Sequence, residues 1–399
     1  MLRTLRMAAL LCCTAVLPIA ANAQEPSPVR FDPKKGLIFE KDSTFRCIMR
    51  FRMQDRFGLL STSGDDLTPA RSDIRVRRFR LRFDGYVLSK RLRYTLHLGF
   101  SKADLDLDAN TTAQPIRDAI LHYDLSKHVT ISFGQQKLPG NRQQVVSSGM
   151  LQLIDRSIVT SAFTLDRDFG AWVTWKPLNS ARPLILKGAI TSGEGRNASP
   201  GDGRLCYTGR VEWSPLGAFT NDGDYFEGDL EQEQRPKLSV GLAYSDNDGA
   251  RRSGGQLGKV LYAGRTITTF IADAVFKYKG WALSSEFAQR AAEGSAYTVD
   301  ALNPLNTVTV YEGWGSCTQA SKYFGKGNEV VSRYALVEPG PRMGSEVAKE
   351  EAWLGYNRYL NGHRVKLQGN ISYSWSDHHA AFDHAGNAWG AYLQVEFGI

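Results

Sequence analysis

"FRCIMRFRMQDRFG" (residues 45–58) and "SDIRVRRFRLRFDGYVLSKRLRYTLHLGF" (residues 72–100) alternate arginines with apolar side chains almost residue by residue. In the first stretch, phenylalanine, methionine and cysteine take most odd positions, and arginine takes most even positions. Successive side chains of a β-strand point to opposite faces of the sheet, so this spacing predicts strands with one apolar and one cationic face.

The same period of two continues to the end of the chain. The connections alternate between short turns, such as Asn361-Gly362, and longer polar loops, with one long acidic connection at 215–234 where a short turn is expected. An even number of strands, with short turns at one rim and long loops at the other, is typical of an outer-membrane barrel. We predict sixteen strands, at about 45–57, 78–87, 92–100, 116–125, 128–136, 167–176, 183–191, 204–213, 236–246, 266–279, 281–290, 309–322, 328–337, 349–360, 363–375 and 388–397.

Aromatic residues near the ends of these runs match the interfacial girdles of a membrane barrel. They are Trp172, Trp175, Trp213, Trp281, Trp353, Tyr356, Trp375 and Trp389. A secreted β-sandwich also has alternating strands, but at this length it needs two domains, and no linker is present. The predicted fold is therefore all-β: a transmembrane antiparallel β-barrel of about sixteen strands.

Residues 1–23 are predicted to be a secretory signal peptide, and residues 24–399 a single outer-membrane barrel domain. The signal has Arg3 and Arg6 before an apolar run at 7–19, and it ends in Ala-Asn-Ala. Export by this route and a barrel fold together predict the outer membrane of a Gram-negative bacterium.

Positive charge is concentrated in one part of the chain. The whole sequence has 49 Lys+Arg and 41 Asp+Glu, a net charge of +8, and removal of Arg3 and Arg6 leaves 47 − 41 = +6. Residues 46–93 alone contain 12 Arg and one Lys against five acids, or +8. The rest of the mature chain is therefore close to neutral.

A cationic face inside a narrow lumen concentrates anions and repels cations, and guanidinium groups match phosphate and carboxylate oxygens. The sequence therefore favours an anion-selective channel. Alternatively, lumen acids pair with the arginines and stiffen a general porin of broad specificity. Nucleic-acid binding is disfavoured, because the face opposite the arginines is apolar. The acids that could pair are Asp84, Asp118, Asp124, Asp273 and Glu286.

The third long loop, at about 137–165, is unusually apolar. A loop of this length and composition is expected to be packed, so we predict that it folds into the lumen; a solvated external lid is the alternative. It would bring Lys137, Arg142 and Arg156 into the pore together with two hydroxyl donors, Ser147 and Ser148.

No catalytic, cofactor or metal site is predicted. Motifs of the GxSxG and HExxH types are absent. The cysteines that follow the signal, Cys47, Cys206 and Cys317, show no Cys-x-x-Cys spacing. A histidine cluster at 376–384 has ligand-type side chains without an accepted ligand spacing, so a polar external loop is favoured.

Four stretches resemble the phosphate-selective porin O and P family: "ISFGQQKLPGNRQQVVSSGMLQLIDRSIVTSAF", "DAVFKYKGWALSSEF", "NEVVSRYALVEPG" and "WLGYNRYLNGHRVKLQGNISYSW". The resemblance covers most of the mature chain. It implies a sixteen-stranded barrel, usually a homotrimer, with an arginine ladder that leads to a constriction formed partly by the third loop. In its best-known branch, members pass phosphate or polyphosphate, whereas many others have no settled substrate.

The resemblance carries over residue by residue to nine candidate pore positions. It also implies small anions, phosphate first, and outer-membrane lipid as partners, with no enzymatic activity. The first two strands supply Arg50, Arg52, Arg78, Arg80 and Arg82, and the loop supplies Lys137, Arg142, Ser147 and Ser148. By phase, Arg75 and Arg77 are expected at the rim.

Overall fold

The computed structural model describes residues 29–33, 35–105, 113–177, 181–199 and 201–399. The predicted signal peptide lies outside these residues, so its removal and the domain boundary at residue 24 stay predictions. Among the described residues, no helix is long and apolar enough to cross a membrane.

The described chain consists almost entirely of antiparallel strands. They are β1 Val29–Asp32, β2 Gly36–Lys41, β3 Phe45–Leu60, β4 Arg71–Ser72, β5 Arg75–Val87, β6 Ser89–Gly99, β7 Ile116–Asp124, β8 Val129–Lys137, β9 Arg167–Trp175, β10 Leu184–Thr191, β11 Cys206–Trp213, β12 Lys237–Arg252, β13 Val260–Tyr278, β14 Trp281–Ala292, β15 Tyr297–Val299, β16 Thr307–Thr309, β17 Gly313–Gly325, β18 Asn328–Pro339, β19 Lys349–Asn361, β20 Val365–Ser376 and β21 Ala388–Gly398. Short helices are α1 Lys102–Leu105, α2 Arg142–Val145 and α3 Ile158–Phe163, with a 3₁₀ helix at Thr220–Tyr225.

Within the described ranges, sixteen strands close into a barrel: β3, β5 to β14 and β17 to β21. Each pairs with the next along the chain, and β21 returns to pair with β3, from Gly390 opposite Leu60 to Gly398 opposite Arg52. All sixteen predicted strands are confirmed. A hairpin of β1 and β2, which was not predicted, extends the sheet beside the first half of β3.

Successive side chains along each barrel strand face the outside and the lumen in turn. In β11, Tyr207, Val211 and Trp213 are exposed on the outer face, whereas Arg210 and Glu212 are buried inside. A lipid-facing apolar band around a polar interior is expected for a barrel in a membrane.

Two aromatic residues that were assigned to the girdles lie inside the barrel instead. Trp172 is buried and lines the lumen, and the Trp353 ring lies 5.1 Å from the Arg333 guanidinium. Their place near the ends of runs predicted an interfacial position, but the phase of their strands points both side chains inward.

A β-bulge corrects the predicted position of Arg77. Gln54 pairs with Arg78 and Asp55 pairs with Val76, which leaves Arg77 as the extra residue. A bulge re-aims the side chain of its extra residue. Arg77 therefore reaches Asp155 of the third loop at 3.3 Å instead of lying at the rim.

The buried core lies between the third loop and the inner wall. Leu138, Val159, Phe163 and Leu165 of the loop pack on inward-facing small and apolar side chains of the strands. Two of the free cysteines, Cys206 and Cys317, are buried in this core.

Candidate functional site

The basic wall of the lumen begins with arginines that face each other across β3 and β5. Arg50 lies directly opposite Arg82, and Arg52 lies directly opposite Arg80. Like charges in these positions destabilise a sheet unless groups of opposite charge lie among them.

Two aspartates partly neutralise these arginines. Asp84 accepts hydrogen bonds from Arg82 Nε and Nη2 at 2.8 to 3.0 Å and also pairs with Arg50. Asp104 accepts from Arg80 Nε at 2.9 Å and from its Nη2 at 2.5 Å. These ion pairs hold the guanidinium groups in place, because two-point contacts fix the planar fork.

Loop residues 138–166 dock on this wall through two serines. Arg52 Nη2 donates to Ser148 Oγ at 2.7 Å, and Nη1 donates to Ser147 Oγ at 3.3 Å. Arg80 Nη1 also donates to Ser148 Oγ, at 3.0 Å.

The same loop is bound to the opposite wall. Arg142 is buried and donates from Nε to Asp273 Oδ1 at 2.5 Å and from Nη2 to Ser239 Oγ at 3.0 Å. Gln152 Nε2 donates to Glu329 Oε1 on β18 at 2.6 Å. The loop therefore crosses the lumen, in agreement with the predicted inward fold.

Open space remains mainly on the basic side of the loop. A cavity of about 390 Å³ lies between the loop and the inner faces of β5 to β10. Among the described residues, five arginines and two lysines line it, against one carboxylate, Asp118. The seven cations are Arg80, Arg82, Arg117, Lys137, Arg156, Arg167 and Lys187.

This cavity shares lining side chains with two others, and the three cavities together are here called the passage. Arg80 and Arg82 also line a cavity of about 170 Å³ that includes Arg52. Lys187 also lines a cavity of about 700 Å³ at the short-turn rim, next to Lys176. On the far side of the loop, against β13, β14 and β17, the space is only about 50 Å³.

The sequence matches the family described as phosphate-selective porin O and P over residues 48–313, about two thirds of the chain. The chain belongs to this family. No curated protein sequence matched it. The family and the fold point to a channel rather than an enzyme, and they place this porin in the outer membrane of a Gram-negative bacterium.

Solved porin structures share the fold at low sequence identity. OmpF of Salmonella typhi, in complex with daunomycin, aligns with a TM-score of 0.57 and 11% identity, over 90% of this chain and 100% of OmpF. The trimer form of OmpT of Vibrio cholerae aligns with a TM-score of 0.56 and 9% identity, over 89% of this chain and 100% of OmpT. The channel DcaP of Acinetobacter baumannii aligns with a TM-score of 0.53 and 12% identity, over 90% of this chain and 99% of DcaP.

Of the nine candidate pore residues, seven line the two cavities beside the loop. Lys137 has a second role there, because its Nζ donates to the carbonyls of Gln144, Val145 and Val146 at 2.5 to 3.3 Å and so holds the turn of the loop. The seven are Arg50, Arg52, Arg80, Arg82, Lys137, Ser147 and Ser148.

The other two, Arg78 and Arg142, lie away from this passage. Arg78 is buried and donates to Gln54 Oε1 at 2.8 Å, with Asp155 of the loop at 3.9 Å. Arg142 is bound to Asp273 on the opposite wall. The phase of a strand predicts an inward direction, but the path of the loop decides which inward side chains are covered.

Three cations of the 390 Å³ cavity were not proposed from the sequence. Arg117, Arg167 and Lys187 occupy inward positions in β7, β9 and β10. Each lies in an alternating run, so the phase was a usable signal. Each run holds only one or two lysines or arginines, which is a weaker signal than the dense arginines of residues 46–93.

Arg156, like Lys137, donates to backbone carbonyls, whereas the other five cations of the 390 Å³ cavity pair with carboxylates. Its Nε donates to the carbonyl of Gln143 at 2.7 Å, and its Nη2 donates to the carbonyl of Val146 at 2.9 Å. In the part of the chain that the structure describes, it forms no ion pair with a carboxylate. Burial and the nearby charge of Arg80 lower its pKa to about 10, so it stays charged at neutral pH.

The lumen acids named from the sequence have different partners. Asp118 accepts from Arg167 Nε and contacts His97 Nδ1, each at 2.8 Å, and Asp124 pairs with Arg93 at the short-turn rim. Glu286 accepts hydrogen bonds from Asn141 Nδ2 and the Gln143 amide of the loop. Asp84 and Asp273 pair with arginines, as described above.

The histidines of the cluster near the end of the chain contact different partners. His378 contacts Glu338 at 3.4 Å and Glu350 at 3.2 Å, while the rings of His379 and His384 stack at 4.8 Å. No group of three or more histidine, cysteine or acidic side chains in the described ranges is arranged to hold a metal ion.

Proposed function

We propose that this porin is a passive, anion-selective diffusion channel of the outer membrane, whose cargo is phosphate or other small phosphorylated or inorganic anions. The observation that carries the proposal is the cavity of about 390 Å³ beside the loop, where seven cations face one carboxylate among the described residues. Low-dielectric walls focus the field of these charges on the open space.

The proximity of the cations supports stepwise transfer. Arg52, Arg80, Arg156 and Lys187 line cavities that share side chains with one another. Several adjacent weak sites let an ion enter one and leave from the next. Guanidinium groups bind phosphate oxygens at two points, and the hydroxyl of Ser147 adds a neutral donor.

The alternative, a general porin of broad specificity whose lumen arginines are mainly structural, also has an observation in its favour. Asp104 holds Arg80 and Arg117, and Asp118 holds Arg167, so several cations of the passage are already paired. Paired arginines attract anions less. Arg156 separates the two proposals, because it has no carboxylate partner among the described residues.

A planar bilayer with a potassium chloride gradient tests the proposal. We expect a reversal potential set mainly by chloride, and a fall in chloride conductance when millimolar phosphate is added. The double variant Arg82→Gln/Arg156→Gln should lose much of both effects. Arg265→Gln is the matched control. Arg265 lies in β13, and it donates to the backbone carbonyls of Ser295 and Gly264.

A cation preference in the wild-type channel would overturn anion selectivity. Anion preference without any effect of phosphate would favour the general porin. If the double variant keeps the full wild-type preference, the arginines are structural.

We also propose that this porin works as a homotrimer in outer-membrane lipid. The resemblance to its family supports this assembly, and the OmpT structure named above is a trimer form. Chemical cross-linking in native membranes should give a trimer band that is absent from heat-denatured samples. A monomer at every cross-linker concentration would contradict the assembly.

A further inference from the structure

The long acidic connection between β11 and β12 does not stay outside the barrel. Its middle part, residues 219–229, here called the inner segment, enters the lumen from the short-turn rim. Residues 215–234 contain no Lys or Arg, and the inner segment includes Asp222, Asp224, Glu227 and Asp229.

A buried lysine on the wall anchors the inner segment. Lys277 of β13 is only 1% exposed, and its Nζ donates to the carbonyls of Gly223 at 2.6 Å and Phe226 at 2.8 Å, and to that of Gly228. The ammonium also lies 4.2 Å from the centroid of the Phe226 ring. Charge-assisted hydrogen bonds of this kind hold a backbone firmly.

The inner segment also binds the third loop. Glu227 accepts hydrogen bonds from the Gln152 amide at 2.7 Å and from Gln319 Nε2 of β17 at 3.0 Å. Its own amide donates to the Met150 carbonyl at 3.0 Å. The loop and the inner segment therefore meet inside the lumen, having entered from opposite rims.

Together, the third loop and the inner segment divide the cross-section of the lumen. Between the loop, the inner segment and the wall of β13, β14 and β17, only about 50 Å³ remains, against about 390 Å³ on the basic side. The larger of these two cavities thus lies on the basic side.

The inner segment also lines the end of that passage. Phe219, Asp222, Asp224 and Tyr225 line the cavity at the short-turn rim. Lys187, which this cavity shares with the main one, donates to Tyr225 Oη at 2.8 Å. The Tyr225 hydroxyl in turn donates to Glu212. Tyr225 thus lines one of the two parts of the passage that lie towards the short-turn rim, which is the periplasmic side of such barrels; the other part is lined by His363 and Ile399.

We infer that the inner segment is a second constriction of the channel, which closes one half of the lumen and narrows the periplasmic exit at Tyr225. This inference rests on the proposed passage, because it names what limits the exit of that passage. It assigns to the acidic connection a role in pore size rather than in charge selectivity.

Two kinds of variant test the inference by single-channel conductance and by exclusion of neutral polymers of increasing size. Tyr225→Ala should raise the conductance, whereas Tyr225→Phe, which keeps the ring, should stay near the wild type. Replacing residues 219–229 with a flexible Gly-Ser linker should raise conductance further and admit larger polymers. Heat-modifiable migration in detergent confirms that each barrel is folded.

Lys277→Met should also raise the conductance, because it releases the anchor, and Lys279→Met is its matched control on the exposed turn. Wild-type conductance and polymer exclusion in folded Tyr225→Ala and linker variants would overturn the inference. The reversal potential, recorded in the same bilayers, reports on the proposed function separately, since it measures charge selectivity and not pore size.

Discussion

At the scale of single residues, the passage depends on which charges remain available to an anion. Arg80 pairs with Asp104, and Arg82 pairs with Asp84. A permeating anion near either arginine therefore meets a guanidinium whose charge is partly neutralised. Arg156 donates only to backbone carbonyls. An anion beside it meets a charge without a neighbouring carboxylate partner.

Arg156→Gln is therefore expected to weaken the phosphate block of chloride conductance. At 4 Å one unit charge contributes about 1 kcal/mol in bulk water and about 4 kcal/mol near a protein surface. The concentration of phosphate that gives half block should rise by a factor of about five or more. Arg78→Gln is the comparison, because Arg78 is bound to Gln54 outside the passage; an equal effect of both variants would contradict this assignment.

At the scale of elements, the third loop is held by buried ion pairs on the wall opposite the arginines. Asp273 of β13 receives Arg142 from the loop and Arg210 from β11, and the side chains of Asp273 and Arg210 are each 1% exposed. Because the loop carries Ser147 and Ser148 on its other side, this anchor sets the width of the passage.

Asp273→Asn should destabilise the barrel strongly. Removal of one partner from a buried ion pair typically costs about 3–5 kcal/mol, since the remaining charge is left uncompensated. Here Arg142 loses its carboxylate partner, and Arg210 keeps only Glu212. Urea unfolding in lipid vesicles measures the change. Asp124→Asn is the control, because its pair with Arg93 is half exposed and is worth roughly 0–1 kcal/mol; equal losses would refute the role of Asp273.

At the scale of the whole molecule, the outer face must suit lipid around the barrel. Leu242 of β12 is an outward residue with 55% exposure, and Trp213 and Trp281 lie at the short-turn ends of their strands. This arrangement matches an apolar band bordered by aromatic residues.

Leu242→Arg should therefore cost roughly 2–4 kcal/mol of folding free energy in a bilayer if its position is near the midplane. Leu302→Arg should cost almost nothing, because Leu302 is 96% exposed in the loop between β15 and β16. Refolding titrations into vesicles compare the two. A similar cost at both positions would show that Leu242 does not face the hydrocarbon core.

The sequence by itself determined the strands and the direction of most side chains, because both depend on a local period of two. It located all sixteen barrel strands, the inward arginines such as Arg80 and the inward fold of the third loop. It failed locally at Arg77, where a bulge shifts the phase by one residue.

Only the tertiary structure decided which inward charges border open space. Arg142 is 131 residues from Asp273 in sequence, and their ion pair holds the third loop against the half of the lumen wall that contains β13. The inner segment, with Lys277 as its anchor, closes the same half from the other rim. No local pattern encodes such contacts, because they depend on packing between distant parts of the chain. The alternating stretches near the start thus supply part of the charge, and the two inward segments determine which charges border open space.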